Sequence, residues 1–370
     1  MATYTEKLQP REQRKLLALD GGGIRGMISI EVLAEIERLL QKELGRDDEF
    51  VLADYFDYIA GTSTGAIIAA CLACGMRVSK IRDFYIGSGE AMFDRAGWLQ
   101  KFHHKFENEP IATKLKEVFG ADTLFGSDKL RSLLMVVLRN ATTDSPWPLS
   151  NNPGAKYAIN CQLPLWQLVR ASTAAPTYFP PEMIDVGDDN HFIFVDGGIT
   201  MYNNPAFQLF LMATVEPYNL NWPAGEDKML IISIGTGSAA EANKNLNPGE
   251  MNLLYNASSI PSALMFAALN EQDFLCRAFG KCLIGDPIDS EIGDMIGKRG
   301  PAVPKLFTYA RYNAELTREG LNKLELPQID PKRVQRLDAV DSIPELRKVG
   351  AAVATKRVKA EHFKGFLSLT

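Results

Sequence analysis

One serine of the sequence stands in a pattern that serves nucleophilic chemistry. Residues 61–65 are GTSTG, and G-x-S-x-G is typical of the tight turn that presents a serine at the start of a helix, because glycine permits the strained backbone. Residues 55–60 predict a strand before this turn, and residues 66–74 are almost wholly apolar, as in a buried helix. This strand-turn-helix context makes Ser63 the candidate nucleophile of an acyl transfer.

A nucleophilic serine needs a base, which is most often a histidine. The chain has four histidines, two in a basic aromatic run, one before a predicted strand and one in the basic tail: His103, His104, His191 and His362. None follows a predicted strand, so we interpret them as surface or packing residues. Asp196 is the better candidate base, because residues 192–196, FIFVD, predict a strand that ends at its carboxylate, and two glycines follow that let other groups approach closely.

Three glycines, Gly21, Gly22 and Gly23, follow another apolar run at residues 15–20 and precede a helical pattern over residues 27–44. They open a G-x-G-x-x-G motif, which also occurs in dinucleotide-binding folds. Asp20 disfavours a dinucleotide, because its carboxylate would lie beside the pyrophosphate, and the next predicted strand leads into GTSTG instead of an acidic ribose ligand. The exposed N–H groups of such a turn, at the positive end of a helix, can hold an oxyanion as readily as a phosphate.

Further strands are predicted at residues 133–138, 192–196 and 229–235, with helical segments between them. Alternating strands and helices predict an α/β layered fold with a mostly parallel sheet, whose ligand site lies at the carboxyl ends of the strands. Residues 142–153 are rich in turn formers and predict a surface loop, and the tail from Glu345 predicts a closing helix. We therefore expect a single domain with a helical C-terminal extension.

Charge and composition exclude several classes of protein. The chain has 40 basic and 45 acidic residues and a net charge of −5, so it has no field that attracts nucleic acid polymers. Its longest apolar run is shorter than the ~20 residues of a membrane-spanning helix, and its polar N-terminus differs from a secretory signal. Five sparse cysteines predict no disulfides, and no metal site or cofactor is expected. We expect a cytoplasmic protein, at most peripherally bound to a membrane.

Four blocks of the sequence, in this order and spacing, resemble the patatin-like phospholipase family. They lie between residues 15 and 205 and are LLALDGGGIRG, GTSTGA, VRASTAAPTYFPP and VDGGITMYNNP. The segment SIGTG at residues 233–237 is also similar to a later strand of the family. The resemblance implies a three-layer α/β/α fold with a catalytic core over residues 12–240, and residues 241–370 are expected to form the mainly helical C-terminal part of the same domain.

The resemblance also implies an activity and a set of site residues. It implies a phospholipase A-type lipid acyl hydrolase that cleaves fatty acyl esters of phospholipids or other acyl lipids through an acyl-enzyme, at a peripheral membrane surface. The implied residues are a Ser63–Asp196 dyad, an oxyanion hole at Gly21, Gly22 and Gly23, and Arg25 in support of that loop. Some bacterial members of the family are phospholipase effectors activated by cyclic nucleotides, but no stretch of this sequence identifies a site for a small nucleotide activator.

The residues alone are also consistent with two other functions. One is an α/β-hydrolase esterase that pairs Ser63 with one of the histidines, and the other is a non-catalytic nucleotide-binding module that uses the glycine turn. Residues 91–106 interleave aromatic with basic side chains. This mixture fits a lid or an interfacial patch, and it equally fits a buried helix with a basic edge.

Overall fold

The computed structural model describes residues 3–93, 110–176, 179–187, 190–238 and 253–369. Within these ranges, nine strands form one sheet in the order β5-β6-β3-β2-β1-β7-β9-β8, and β4 also pairs with β3. The strands are β1 (Arg14–Leu19), β2 (Tyr58–Thr62), β3 (Leu133–Asn140), β4 (Ser145–Ser150), β5 (Glu182–Asp185), β6 (His191–Asp196), β7 (Met229–Ile234), β8 (Lys281–Ile284) and β9 (Thr308–Tyr312).

The helices follow the strands along the chain and pack against the sheet and one another. They are α1 (Gly26–Glu43), α2 (Leu52–Tyr55), α3 (Thr64–Ala73), α4 (Val78–Phe93), α5 (Pro110–Phe119), α6 (Leu165–Ser172), α7 (Ala206–Thr214), α8 (Leu253–Phe279), α9 (Arg318–Lys323), α10 (Pro331–Val334) and α11 (Ile343–Arg357). In the part of the chain that the structure describes, no helix is both long and apolar enough to cross a bilayer.

Six adjacent strands, in the order β3-β2-β1-β7-β9-β8, run parallel to one another. The prediction of an α/β fold with a mostly parallel sheet is therefore confirmed. Every residue of β1, β2, β7 and β9 is buried, which requires cover on both faces of the sheet. This burial explains why residues 15–20 and 229–235 appear in the sequence as nearly continuous apolar runs.

The expectation of a surface loop over residues 142–153 is wrong for its central part. Ser145–Ser150 forms β4, which pairs antiparallel with β3 although it contains Pro146 and Pro148. The two prolines are two residues apart, so their missing N–H groups fall on the same side of the strand. A strand with a single partner tolerates this, because only one of its sides has to donate hydrogen bonds to the sheet.

Strands β2 and β6 follow one another along the same edge of β3. Strand β2 pairs with β3 as far as Thr62 opposite Val137, and β6 pairs with β3 from Asp196 opposite Leu138 onward. Because β4 occupies the other edge of β3 over both stretches, β6 continues on the edge where β2 ends. Asp196 is thereby placed directly beyond the last residue of β2.

A buried carboxylate, Asp57, lies at the end of the sheet opposite to Asp196 and links the two ends of the described chain. Asp57, which precedes β2, accepts a hydrogen bond from Arg11 at 3.2 Å and another from the backbone N–H of Lys15 at 2.8 Å. The Nζ atom of Lys15 donates to the carbonyl of Ser368 at 2.9 Å, and Arg11 donates to that of Leu369 at 3.4 Å. The N-terminal and C-terminal segments therefore share one set of polar contacts.

Candidate active site

Ser63 lies in a strained turn between β2 and α3. Its backbone has φ 54° and ψ −122°, a conformation that costs a residue with a side chain of the order of 1–3 kcal/mol and that must be maintained by its surroundings. The N–H of Ser63 donates to Ser172 Oγ at 2.9 Å, and Ser172 Oγ donates to the carbonyl of Val137 at 2.6 Å. Ser172, at the end of α6, therefore ties the turn to β3.

The glycines on either side of Ser63 are required by close backbone contacts. A Cβ added at Gly61 would lie 2.1 Å from the carbonyl oxygen of Gly65, and one added at Gly65 would lie 2.4 Å from that of Leu19. Both distances are far below van der Waals contact with atoms that belong to the main chain. The G-x-S-x-G spacing in the sequence therefore reflects how tightly α3 approaches both its own turn and the end of β1.

The structure brings Ser63 and Asp196 into direct contact. Ser63 Oγ donates a hydrogen bond to Asp196 Oδ2 at 2.6 Å, and the second oxygen, Oδ1, accepts the N–H of Gly198 at 2.6 Å. The backbone N–H of Asp196 donates to the carbonyl of Ala174 at 2.9 Å, so the segment after α6 reaches the site. Both carboxylate oxygens of Asp196 are thereby engaged, and one of them faces the serine hydroxyl.

Burial makes the Asp196 carboxylate a stronger base than an exposed aspartate. Only 5% of the residue is exposed. Burial raises the pKa of Asp196 to about 6, against the lowering effects of the hydrogen bonds from Ser63 and Gly198 and of the charge of Arg170. A carboxylate with this pKa is ionised at neutral pH and still holds a proton better than an ordinary aspartate.

The glycine turn lies beside Ser63, and two of its N–H groups have no acceptor among the described residues. The N–H of Gly21 donates to the carbonyl of Asn203 at 3.2 Å. Among the described residues, neither the N–H of Gly22 nor that of Gly23 donates a hydrogen bond. A Cβ added at Gly21 would lie 3.3 Å from Ser63 Cβ, so the turn directly adjoins the nucleophile. Of the three predicted oxyanion-hole glycines, Gly22 and Gly23 have unengaged donors.

The charged residues of the turn are held in place by the C-terminal part of the chain. The Asp20 carboxylate forms a buried ion pair with Arg311 of β9, at 2.8 Å to Nη1 and 2.5 Å to Nη2. Arg25 contacts the carbonyl of Gln335 at 3.5 Å, and burial lowers its pKa to about 10, against the raising effect of Asp20. The carbonyl of Leu337, in the same segment as Gln335, accepts the N–H of Ile24 at 2.9 Å.

The described histidines do not contact the serine. His362 is buried and its Nδ1 lies 2.8 Å from the hydroxyl of Tyr312. His191 is exposed at the first residue of β6, five residues before Asp196, with its Nδ1 4.0 Å from Asp185. His103 and His104 lie outside the described residues, as do residues 94–106 of the predicted lid or interfacial patch.

All five cysteines are free, and no group of three or more ligating side chains in the described ranges is arranged to hold a metal ion. The Asp20 carboxylate, which would lie beside the pyrophosphate of a bound dinucleotide, is paired with Arg311.

Two side chains that contact the site, Ser172 and Thr236, had no predicted role. Ser172 belongs to the VRASTAAPTYFPP block and Thr236 to SIGTG. Thr236 Oγ1 donates to the carbonyl of Gly21 at 2.8 Å. Both hydroxyls donate to backbone carbonyls that are distant in the sequence. The only feature of the sequence that pointed to these residues was their place in the blocks that resemble the family.

The chain matches known proteins over the part that builds this site. The family model described as patatin-like phospholipase matches residues 17–210. A cGAMP-activated phospholipase of Vibrio cholerae is 31% identical over 208 residues, which cover 53% of this chain and 57% of that protein. One of Escherichia coli is 29% identical over 227 residues, covering 60% of this chain and 62% of that protein. Patatin-like protein 1 of Oryza sativa is 29% identical over 329 residues, covering 75% and 76% of the two chains.

The alignments with the two bacterial phospholipases thus span less than two thirds of those proteins. The family model nevertheless covers more than half of this chain, from β1 to α7, and includes Ser63, Asp196 and the glycine turn. The chain belongs to the patatin-like phospholipase family.

Proposed function

We propose that the protein is a lipid acyl hydrolase that cleaves fatty acyl esters of membrane lipids with Ser63 as its nucleophile. The observation that carries the proposal is the 2.6 Å hydrogen bond from Ser63 Oγ to a buried aspartate, Asp196. The two unengaged N–H groups of Gly22 and Gly23 support it, since an acyl transfer develops negative charge on the carbonyl oxygen beside the nucleophile.

The reaction would proceed in two stages. In the first, Ser63 Oγ attacks the ester carbonyl while Asp196 takes its proton; the carbonyl oxygen becomes an oxyanion that accepts hydrogen bonds from Gly22 and Gly23. The C–O bond to the alcohol then breaks, and Asp196 returns the proton to the leaving oxygen. In the second stage, water attacks the acyl-enzyme, Asp196 takes the water proton and passes it to Ser63 Oγ, and the fatty acid is released.

The names of the relatives support a lipid ester as the substrate class. Relatives of this chain are named phospholipases and patatins, and a phospholipid substrate has to be reached at a bilayer or micelle surface. We therefore place the activity at a lipid surface, with the protein bound peripherally. The relatives' named activator, cGAMP, is the first effector to include in an assay.

Product analysis on mixed phospholipid liposomes tests the proposal. The unmodified protein is expected to release fatty acid and lysophospholipid, measured by mass spectrometry with and without cGAMP. Ser63→Ala and Asp196→Asn are each expected to abolish release, because they remove the nucleophile and its base. Ser127→Ala, in the turn that precedes β3, is the control and keeps full activity. Hydrolysis by Ser63→Ala at the wild-type rate contradicts the proposal.

The esterase alternative has its own outcome in the same assay. Replacement of all four histidines is expected to leave substantial activity, because neither described histidine contacts Ser63 and the serine hydroxyl already bonds to Asp196. Loss of activity on replacing His191 or His362 alone, in a protein that still folds, would instead indicate a histidine base.

A further inference from the structure

Thr236 is packed directly against the glycine turn. It follows β7, is 3% exposed, and donates its hydroxyl to the carbonyl of Gly21 at 2.8 Å. A Cβ added at Gly22 would lie 2.1 Å from Thr236 Oγ1, so the hydroxyl fills the space beneath the Gly21–Gly22 peptide. The mechanism proposed above assigns nothing to this residue.

The hydroxyl of Thr236 fixes the direction of the Gly22 N–H group, although it does not contact this group. The carbonyl of Gly21 and the N–H of Gly22 belong to one planar trans peptide, so they point in opposite directions. Because Thr236 holds the carbonyl, the N–H of Gly22 points away from Thr236. Among the described residues this N–H has no acceptor.

Backbone hydrogen bonds hold the two residues that precede this peptide. The N–H of Asp20 donates to the carbonyl of Ile234 at 3.0 Å, and the N–H of Gly21 donates to Asn203 at 3.2 Å. The Gly21–Gly22 peptide lies between two residues without a Cβ, and glycine occupies both halves of backbone conformational space readily. Such a peptide can reverse at little steric cost, so a hydrogen bond has to select its orientation.

We propose that Thr236 is a positioning residue for ester hydrolysis. Its hydroxyl holds the Gly21–Gly22 peptide in the orientation in which the N–H of Gly22 meets the oxyanion formed at Ser63. The inference rests on the proposed function and deepens it, since it explains how a turn of three glycines keeps one donor geometry.

Paired substitutions at residue 236 test the inference. Thr236→Val keeps the shape and loses the hydroxyl, and kcat is expected to fall by about 10- to 100-fold with KM within about twofold, because a donor used only in the transition state is misplaced. Thr236→Ser keeps the hydroxyl and is expected to stay within about threefold of wild-type kcat. Thr308→Val is the matched control: Thr308 is also buried, and its hydroxyl donates to the carbonyl of Glu226 at 2.7 Å.

A second measurement separates positioning from loss of structure. A fluorophosphonate probe phosphonylates an active serine with loss of fluoride. Its P=O oxygen gains negative charge in the transition state and uses the same donors as the oxyanion of ester hydrolysis. Intact-mass analysis is expected to show Ser63 labelled about 10-fold or more slowly in Thr236→Val than in Thr236→Ser, at equal Tm. Thr308→Val should be labelled at the wild-type rate, because Thr308 begins β9 at the other end of the sheet.

Several outcomes would overturn the inference. Wild-type kcat in Thr236→Val, an equal loss in Thr236→Ser, or an equal loss in Thr308→Val would each do so. If Ser63→Ala is inactive while Thr236→Val is fully active, only this inference fails and the proposed function stands. If the unmodified protein neither hydrolyses lipid nor reacts with the probe, the proposed function fails and the inference fails with it.

Discussion

An aspartate is an unusual partner for a nucleophilic serine, because its ordinary pKa makes it a weak proton acceptor. In this protein Asp196 is buried at the end of β6 and hydrogen-bonded through both oxygens. Its burial makes it a better proton acceptor than an exposed aspartate. The remaining stabilisation has to come from the donors of the glycine turn, where the charge of the reaction accumulates.

The pH dependence of hydrolysis should report the titration of Asp196. Burial raises its pKa to about 6, and only the ionised form can accept the serine proton, so kcat/KM is expected to rise with pH through a midpoint near 6 and then level off. The measurement is the rate on a short-chain ester across this range. His191→Gln should keep the same midpoint, and a midpoint that moved with this substitution would assign the titration to the histidine.

The buried charge of Asp196 should also lower stability. Its pKa is raised from 3.8 to about 6 on folding, so the native state binds the proton more tightly, and the free energy of unfolding falls as pH rises between these values. The penalty is complete above about pH 6 and amounts to about 3 kcal/mol. Asp196→Asn is therefore expected to have a higher Tm than wild type at pH 8.

The control for this prediction is the same pair of proteins at low pH. Near pH 4 the native Asp196 is protonated and resembles asparagine in charge, so the difference in Tm is expected to become small. A stabilisation that is equal at both pH values would show that asparagine acts through packing or hydrogen bonding and not through the charge.

Among the structural elements, the two strand-turn-helix units determine the site. The unit β1-turn-α1 supplies the free N–H groups, and β2-turn-α3 supplies the nucleophile. Gly65 joins the two, since its lack of a Cβ lets α3 approach the carbonyl of Leu19 at the end of β1. A change in one turn is therefore transmitted to the other by direct backbone contact.

Two glycine-to-alanine substitutions should have opposite effects on stability. Gly61→Ala places a Cβ 2.1 Å from the carbonyl of Gly65, and we expect it to destabilise the fold by more than about 3 kcal/mol or to prevent folding. Gly87 is exposed within α4 and has no neighbour within 4 Å of an added Cβ, so Gly87→Ala should stabilise by about 0.5–1 kcal/mol. Urea unfolding of both variants measures this; a tolerated Gly61→Ala would contradict the contact.

The sequence predicted these two units well for a physical reason. Buried parallel strands are continuous apolar runs, and tight turns need glycine, so both leave local signals. The run at residues 15–20 and the pattern at 27–44 correspond to β1 (Arg14–Leu19) and α1 (Gly26–Glu43) within one or two residues. Strand β4 was not predicted because its prolines are typical of turns. They fit in this strand because, among the described strands, it pairs only with β3, so its other edge needs no N–H donors.

The contacts that orient the site were less predictable. Thr236 and Ser172 donate their hydroxyls to the carbonyls of Gly21 and Val137, which are far from them in the sequence. A side-chain bond to a distant backbone carbonyl leaves no periodicity or spacing, so it becomes visible only once the sheet has placed the strands side by side.

At the scale of the whole molecule, the residues beyond the family match complete the sheet and support the site. Strand β9 pairs with β7 and supplies Arg311 to Asp20. Helix α11 packs along α1, where a Cβ added at Gly350 would lie 2.8 Å from the carbonyl of Ile28. We propose that residues 241–370 belong to the same folding unit as residues 12–240.

Unfolding should therefore occur in one transition. Calorimetry is expected to give a single peak whose calorimetric and van't Hoff enthalpies agree, because β9 lies inside the sheet between β7 and β8. A chain ending at residue 240 is expected not to fold, since Asp20 would keep its buried charge without Arg311. Two separate transitions, or a folded shortened chain, would contradict the single unit.

The succession of β2 and β6 along one edge of β3 determines which changes of sequence the active site tolerates. The spacing of the reacting groups is set by the main-chain register of β3, in which Val137 faces Thr62 and Leu138 faces Asp196. Side chains elsewhere in the core can then be exchanged without moving the hydroxyl relative to the carboxylate. A shift of β6 by one residue would instead turn Asp196 to the opposite face of the sheet. Reactivity should therefore survive extensive divergence of the core and disappear with a single insertion inside β3 or β6.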